Sequence, residues 1–199
     1  VTERVMDPSR PELWYTFQHN AFRFFALDCR TCRLGRSMLG GKQTNDFFQW
    51  LSMQQPNQIS CVMSSVPLLP LAENNDDYNS DKWSGFPDSL GALRNALDDS
   101  TVPDGQLKRV VFFTGDYHLS TWVTLLSPGR KVSIHFIVAS PVKAVMARKA
   151  ALSTKVPMYF DGWTIHSAPE NEIVRQDSLF TSLDINFQNT NLQVFDKKG

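Results

Sequence analysis

With 199 residues, the chain is long enough for one domain with a substantial hydrophobic core. Its 20 basic side chains balance 20 acidic ones, so no charge excess points to nucleic acid or to an anionic membrane. No apolar run approaches the roughly 20 residues that a spanning helix needs. We therefore expect a soluble single domain over residues 1–199, with no nucleic-acid-binding patch and no membrane span.

The beginning of the chain and its cysteines limit the possible compartments and sites only slightly. The chain starts at Val1 rather than at a methionine, which suggests a piece of a longer protein, so the missing targeting segment leaves the compartment open, with the cytoplasm slightly favoured. Cys29 and Cys32 have Cys-x-x-Cys spacing, but only Cys61 remains among the cysteines as a further zinc ligand. We expect structural thiols, and a thiol-based redox role remains an alternative.

Apolar runs bounded by turn-forming residues predict the secondary structure. In the first half they predict strands over 13–17, 22–27 and 59–63, a loop over 35–41, a helix capped by Thr44 or Asn45 that ends before Pro56, and a surface loop over 72–85. In the second half they predict a helix after Pro87 capped by Asp88 or Ser89, a buried strand over 110–114, a half-buried strand over 132–138, a loop over 148–172 and a hairpin of strands over 179–187 and 191–196. The predicted class is α/β or α+β, with helices outside a mixed sheet or a pair of sheets, which element order does not separate.

The segment from 110 to 118 carries the most chemical information. Five apolar or β-branched residues predict a strand covered on both faces, and Gly115 permits a tight exit from the sheet. Asp116 and His118 then follow the carboxyl end of the strand, where open α/β sheets place their ligands. An anionic oxygen and a borderline nitrogen suit Zn, Fe or Mn better than Ca or Mg alone. This pattern predicts a metal site, and a turn aspartate beside a partly buried histidine is the alternative.

Four segments in order resemble the C-terminal half of the alkaline phosphatase D family, the PhoD-like metallophosphoesterases. Residues 24–33 are similar to a strand that ends in Leu-Asp-x-Arg-x-x-Arg, and residues 50–67 to a helix followed by a strand ending in Ser-x-x-Pro. Residues 81–87 are similar to the element Asp-x-Trp-x-Gly-Tyr-Pro, and residues 115–118 match Gly-Asp-Val-His with Tyr117 in place of Val. Ser140-Pro141 and the closing strands also fit the family, so the resemblance covers nearly the whole chain.

This resemblance implies a calcineurin-like sandwich of two β-sheets flanked by helices, present here as its C-terminal portion. It also implies metal-dependent hydrolysis of phosphate mono- or diesters, with two metal ions that are divalent or trivalent (Zn, Fe or Mn, with Ca as a further option). His118 is then expected to be a metal ligand, and Asp116 a ligand or the carboxylate that orients it. Arg30 is a candidate for binding the substrate phosphate or for an ion pair with Asp28 that braces the site.

Two aromatic residues and the missing ligands complete these expectations. Trp83 and Tyr117 are candidates for lining the substrate pocket, with core packing as the alternative for each. An opposite interpretation, in which Asp116–His118 opens the series of metal motifs, requires Gly-Asp and Gly-Asn-His downstream, and neither occurs. We therefore expect most metal ligands in an N-terminal half of the same protein, which would be this chain's partner. The alternative function is a non-catalytic binding or interaction module on the same scaffold.

Overall fold

The computed structural model describes the chain in seven segments. These are residues 12–69, 81–98, 107–115, 121–138, 160–167, 180–185 and 190–195. The strands are β1 (Tyr15–His19), β2 (Phe22–Ala26), β3 (Ile59–Ser64), β4 (Lys108–Thr114), β5 (Thr121–Leu126), β6 (Val132–Val138), β7 (Thr164–Ser167), β8 (Phe180–Ile185) and β9 (Thr190–Phe195). The helices are α1 (Gly41–Ser52) and α2 (Pro87–Asp98), with short 3-10 turns at Trp83–Gly85 and Pro128–Arg130.

Seven strands form one mixed sheet in the order β1-β2-β3-β4-β6-β5-β7. Its centre is parallel, because β2 pairs with β3, β3 with β4, and β4 with β6 in parallel. Parallel neighbours need a crossover connection, and α1 and α2 lie in the connections that follow β2 and β3. The outer strands are antiparallel, and β8 pairs with β9 as a separate antiparallel hairpin. The fold is therefore a mixed α/β structure built on a parallel sheet centre.

Both helices contribute to the hydrophobic core on one face of this sheet. Phe47 and Leu51 of α1 belong to the same buried cluster as Leu90, Leu93 and Leu97 of α2. The sheet residues in this cluster alternate along their strands, as expected for one face: Phe25, Val62, Val110, Phe112, Ile134 and Phe136. Each such side chain stabilises the fold by about 1.5–3 kcal/mol when fully buried.

The opposite face carries a smaller apolar cluster and an exposed aromatic edge. Ile59, Cys61, Val111 and Ile137 are buried there, with Phe22, Phe24 and Phe113 packed against them and partly buried. On the edge strand β1, Tyr15 and Phe17 are exposed, and the Phe17 ring stacks on Phe24 with centroids 4.4 Å apart. This face of the described sheet thus retains aromatic surface in contact with solvent.

Most predicted elements are confirmed, but the starts of both helices are wrong. Helix α2 begins at Pro87, so the predicted caps Asp88 and Ser89 lie in its first turn. The start of α1 differs more. The sequence predicts a cap at Thr44 or Asn45, whereas the helix begins at Gly41 after an extended Gly40 that makes no side-chain cap. The Thr44 backbone N–H donates to Gly40 O at 2.9 Å, which closes the first turn. A Cβ at Gly40 would lie 2.9 Å from Cys32 Cβ, so close packing rather than side-chain capping determines the residue at this helix start.

The second half of the chain holds three further differences. Strand β5 was not predicted, and β7 lies inside the segment predicted as a loop. The strand over 132–138 was predicted to be half-buried, but all seven of its residues are buried. Its polar residues are accommodated by hydrogen bonds, since His135 Nδ1 lies 3.1 Å from Thr124 Oγ1 and Nε2 lies 3.4 Å from Ser133 Oγ. Among the described residues, no helix is long and apolar enough to cross a membrane.

Candidate functional site

The parallel strands end at one level, which gathers the segments that follow them. Ser64 at the end of β3 pairs with Thr114 at the end of β4, and Thr114 pairs with Val138 at the end of β6. After β2, the Leu27 backbone N–H donates to Met63 O at 2.9 Å. The carboxyl ends of four neighbouring strands therefore form one edge, hereafter the carboxyl edge, where ligands of open α/β sheets bind.

The segment after β2 is held from two sides. The buried Gln43 of α1 binds the Asp28 backbone twice, since its Oε1 accepts the Asp28 N–H at 2.8 Å and its Nε2 donates to Asp28 O at 2.9 Å. The Asp28 Oδ1 then accepts the backbone N–H groups of Arg30 and Thr31 at 3.1 and 3.0 Å. This is an Asx turn, which fixes the chain direction just past the strand.

The Asp28 carboxyl is engaged as an acceptor and stays ionised readily. Burial acts to raise its pKa, but the hydrogen bonds from Thr31 and Arg30 and the charge of Arg33 outweigh burial and lower the pKa. The sequence offered an ion pair between Asp28 and Arg30 as one role for the arginine. In the structure Arg30 Nη2 lies 2.7 Å from Asp81 Oδ2, and its side chain is more than half exposed, so this ion pair is with Asp81 and is not buried.

The end of β3 holds a buried polar cluster around the Ser64 hydroxyl. Ser64 Oγ donates to Val66 O at 2.6 Å, accepts from Trp83 Nε1 at 3.3 Å and lies 3.5 Å from Cys29 Sγ. Trp83 is fully buried and packs edge-on against Phe112. Core packing, which the sequence left open for Trp83, accounts for these contacts, and contact with a substrate stays a prediction.

The two cysteines after β2 differ in their surroundings. Cys29 is buried and Cys32 is exposed, and both are free thiols. Burial raises the pKa of the Cys29 thiol, although hydrogen bonds from Ser64 and Ser65 act in the other direction. A thiol with a raised pKa is a poor nucleophile at neutral pH, so the environment of Cys29 favours the structural role.

The strand that carries the predicted metal ligands is described up to Gly115. Strand β4 runs through Thr114 as the sequence predicts, with residues 110–112 buried. The candidate residues Asp116, Tyr117 and His118 lie outside the described residues, so their roles stay predictions. Within the described segments, no group of three or more His, Cys, Asp or Glu side chains is arranged to hold a metal ion.

Three residues at this edge were not predicted to be functional. Asp81 pairs with Arg33 as well as with Arg30, and Gln43 holds the Asp28 backbone. Arg33 and Asp81 both lie in motifs that carry the family resemblance, which was the available signal for them. Nothing in the sequence points to Gln43, because its partner is a backbone group 15 residues away.

Comparison with known proteins shows the family of the chain and a solved structure to which the chain is similar. The family model for PhoD-like phosphatases matches residues 6–194. The structure, titled "Structure of PhoD", is 20% identical to this chain with a TM-score of 0.49, and the match covers 65% of this chain. The chain spans 28% of the length of that relative. No curated protein matches the chain.

Proposed function

We propose that this chain, which belongs to the PhoD-like phosphatase family, takes part in metal-dependent hydrolysis of phosphate mono- or diesters. The observation that carries the proposal is the family match over residues 6–194. The four parallel strands that end at one level support it, because the motif segments that follow β2 and β3 lie at the same edge as the end of β4. The proposed substrate is a phosphate ester.

In this proposal Asp116 and His118 supply metal ligands and Tyr117 lines the pocket, whereas Trp83, which is fully buried, packs in the core. A carboxylate and an imidazole two residues apart are donors that Zn, Fe or Mn accepts. A bound ion of this kind polarises the phosphoryl oxygens and lowers the pKa of a bound water. The described residues of the carboxyl edge are not proposed as metal ligands, because Asp28 Oδ1 and Ser64 Oγ already make hydrogen bonds to protein groups. They shape the edge and, through Arg30, present positive charge to the phosphate.

The remaining ligands are proposed to come from an N-terminal half of the same domain. Three His, Cys, Asp or Glu side chains suited to one metal are absent from the described segments, so the proposal needs ligands beyond them. The exposed aromatic residues Tyr15 and Phe17, on the face opposite the helices, offer an apolar surface for that half. A second sheet packed there would complete a calcineurin-like sandwich.

The test compares the full PhoD-like domain with the 199-residue chain alone. We expect both bound metal and phosphate ester turnover in the full domain. His118→Ala should reduce turnover by at least about 100-fold and reduce the metal content, since even residues that only orient metal ligands cost about 10–100-fold. Gln49→Ala is the control, because Gln49 is exposed on α1, on the other face of the sheet from Tyr15 and Phe17.

Two results would contradict the proposal. Full turnover by the His118→Ala protein would refute the ligand assignment. A full domain that binds no metal and hydrolyses no ester would instead favour the alternative, a binding module on the same scaffold.

A further inference from the structure

One carboxylate at the carboxyl edge holds two arginines. Asp81 Oδ1 lies 2.5 Å from Arg33 Nη2, and Asp81 Oδ2 lies 2.7 Å from Arg30 Nη2. The arginines come from the segment after β2, and Asp81 comes just before the 3-10 turn at Trp83–Gly85. That turn is bound to the end of β3, because the Trp83 backbone N–H donates to Pro67 O at 3.0 Å. The three charges therefore lie where the ends of β2 and β3 meet.

The two arginines are held to different degrees. Arg33 donates from Nε to Cys29 O, its guanidinium carbon lies 5.1 Å from the centroid of the Phe86 ring, and its side chain is 22% exposed. The Arg30 side chain is 54% exposed, although the Asx turn of Asp28 fixes its backbone. Arg33 is thus an anchored cation, and Arg30 is a cation that a ligand from solvent can reach.

Stability alone is a weak reason for this arrangement. Exposed ion pairs contribute roughly 0–1 kcal/mol, and part of the attraction to Asp81 only offsets the repulsion between the two guanidiniums. Burial acts to raise the pKa of Asp81, but Arg33 and Arg30 outweigh it and lower the pKa, so Asp81 remains charged at neutral pH. A phosphate brings further anionic oxygens to a pair of forked donors, which is the geometry that arginine recognises best.

We infer that Asp81 is a positioning residue that holds Arg30 and Arg33 together as a clamp for the phosphate group of the substrate. The inference rests on the proposed function and deepens it, because it adds Arg33 and Asp81 to the candidate Arg30. Asp81 does not contact the reacting atoms in this scheme. Asp81 orders the Arg30 side chain before the phosphate binds, so Arg30 loses less conformational entropy on binding. Preorganisation of this kind increases affinity.

The experiment measures binding of inorganic phosphate to the full domain by calorimetry, after removal of metal with a chelator. Asp81→Asn should weaken phosphate binding by about tenfold, because the charged partner of both arginines is lost. In the metal-loaded protein the same change should raise KM by a similar factor and leave kcat within about twofold. Asp81→Glu should restore part of the affinity, which a purely structural role does not predict.

A matched control and a second variant keep the test decisive. Asp88→Asn removes a comparable exposed pair, since Asp88 Oδ1 lies 2.8 Å from Arg36 Nε, and it should leave phosphate binding unchanged. Arg30→Gln should weaken binding as Asp81→Asn does, and the double change should cost less than the sum of the two. If the Asp81→Asn protein fails to fold, Asp81→Glu decides: phosphate binding weaker than in the wild type supports the clamp, and unchanged binding overturns it.

The outcomes separate this inference from the proposed function. Ester turnover by the wild type, with phosphate binding unchanged or tighter in Asp81→Asn, overturns the clamp and leaves the phosphatase proposal standing. Tenfold weaker phosphate binding in Asp81→Asn, without any ester turnover by the wild type, supports the clamp and overturns the proposed reaction. A wild-type protein that binds no phosphate overturns the clamp.

Discussion

The two ends of the parallel strands hold their positive charges differently. At the carboxyl edge Arg30 and Arg33 share Asp81, and Arg30 is more than half exposed. At the amino ends, Arg23 of β2 is only 8% exposed, and Lys108 of β4 is buried as well. Arg30 is paired with a carboxylate and can be reached from solvent, whereas Arg23 and Lys108 are enclosed. The first arrangement suits ligand binding, and the second is a property of the folded core.

The largest loss of stability is expected for Trp83, which lies near the carboxyl edge but is as buried as Arg23 and Lys108 at the amino ends. Trp83→Ala should lower the free energy of unfolding by about 3–5 kcal/mol, because it leaves a cavity in the core. Trp83→Phe keeps most of the packing and loses the hydrogen bond to Ser64, so it should cost about 1 kcal/mol from that bond. Denaturant titration measures both.

The opposite result for Trp83 would assign it to the substrate site instead of the core. If Trp83→Ala changed stability by less than about 1 kcal/mol yet raised KM, the ring would line a substrate pocket rather than the core. Its burial in the folded chain leads us to expect the opposite.

A smaller loss of stability is expected for Gln43, a buried residue of α1 that binds the Asp28 backbone at the carboxyl edge. Gln43→Ala removes both hydrogen bonds to the Asp28 backbone, so it should cost about 2 kcal/mol in the free energy of unfolding. It should also raise KM for a phosphate ester, because Arg30 follows Asp28. The control is Gln49→Ala on the exposed side of the same helix, which should stay within about 0.5 kcal/mol of wild type. An unchanged KM in the Gln43→Ala protein would mean that the carboxyl edge keeps its shape without the two hydrogen bonds of Gln43 to the Asp28 backbone.

Sequence reasoning predicted most strands and the position of the second helix, because their signals are local, but it missed β5 and β7. The apolar runs of β2 and β4 and the proline that opens α2 lie within a few residues of the structure they specify. Strand β7 has only four residues, which is too short for a reliable period. The seven buried residues of β6 were mispredicted because alternation shows polarity and does not show whether a polar side chain finds buried partners.

The candidate site was predictable only in part, because its contacts are long-range. The ion pair of Arg33 with Asp81 joins residues 48 positions apart, and single-sequence patterns carry no information on such a pairing. The family resemblance selected both motifs without showing that they meet. Asp116 and His118, which the sequence favoured most strongly, lie outside the described residues and stay predictions.

The smallest effect is expected at the amino ends of the strands, where a buried charge is poorly compensated. Arg23 Nη2 donates to Trp50 O at 2.8 Å, and the guanidinium carbon lies 4.6 Å from the centroid of the Trp50 ring. Arg23 Nη1 is buried without a hydrogen-bond partner. Burial, and secondarily the charge of Arg23, lowers the pKa of Lys108 to about 8. Burial lowers the pKa of Arg23, so the cost of desolvating this guanidinium opposes its hydrogen bond to Trp50 and its contact with the ring.

Arg23→Met should thus change the free energy of unfolding by no more than about 1 kcal/mol and leave ester turnover unchanged. Lys108 sharpens the test, since its folded pKa of about 8 lies below that of the unfolded chain. The unfolded state therefore binds more protons above pH 8, and wild-type stability should rise with pH up to the unfolded pKa of lysine. In Arg23→Met protein the pKa of Lys108 moves upward, so this rise should begin at higher pH and be smaller. A loss of turnover without a change in stability would show that the enclosed end also serves function, and the contrast between the two ends would then fail.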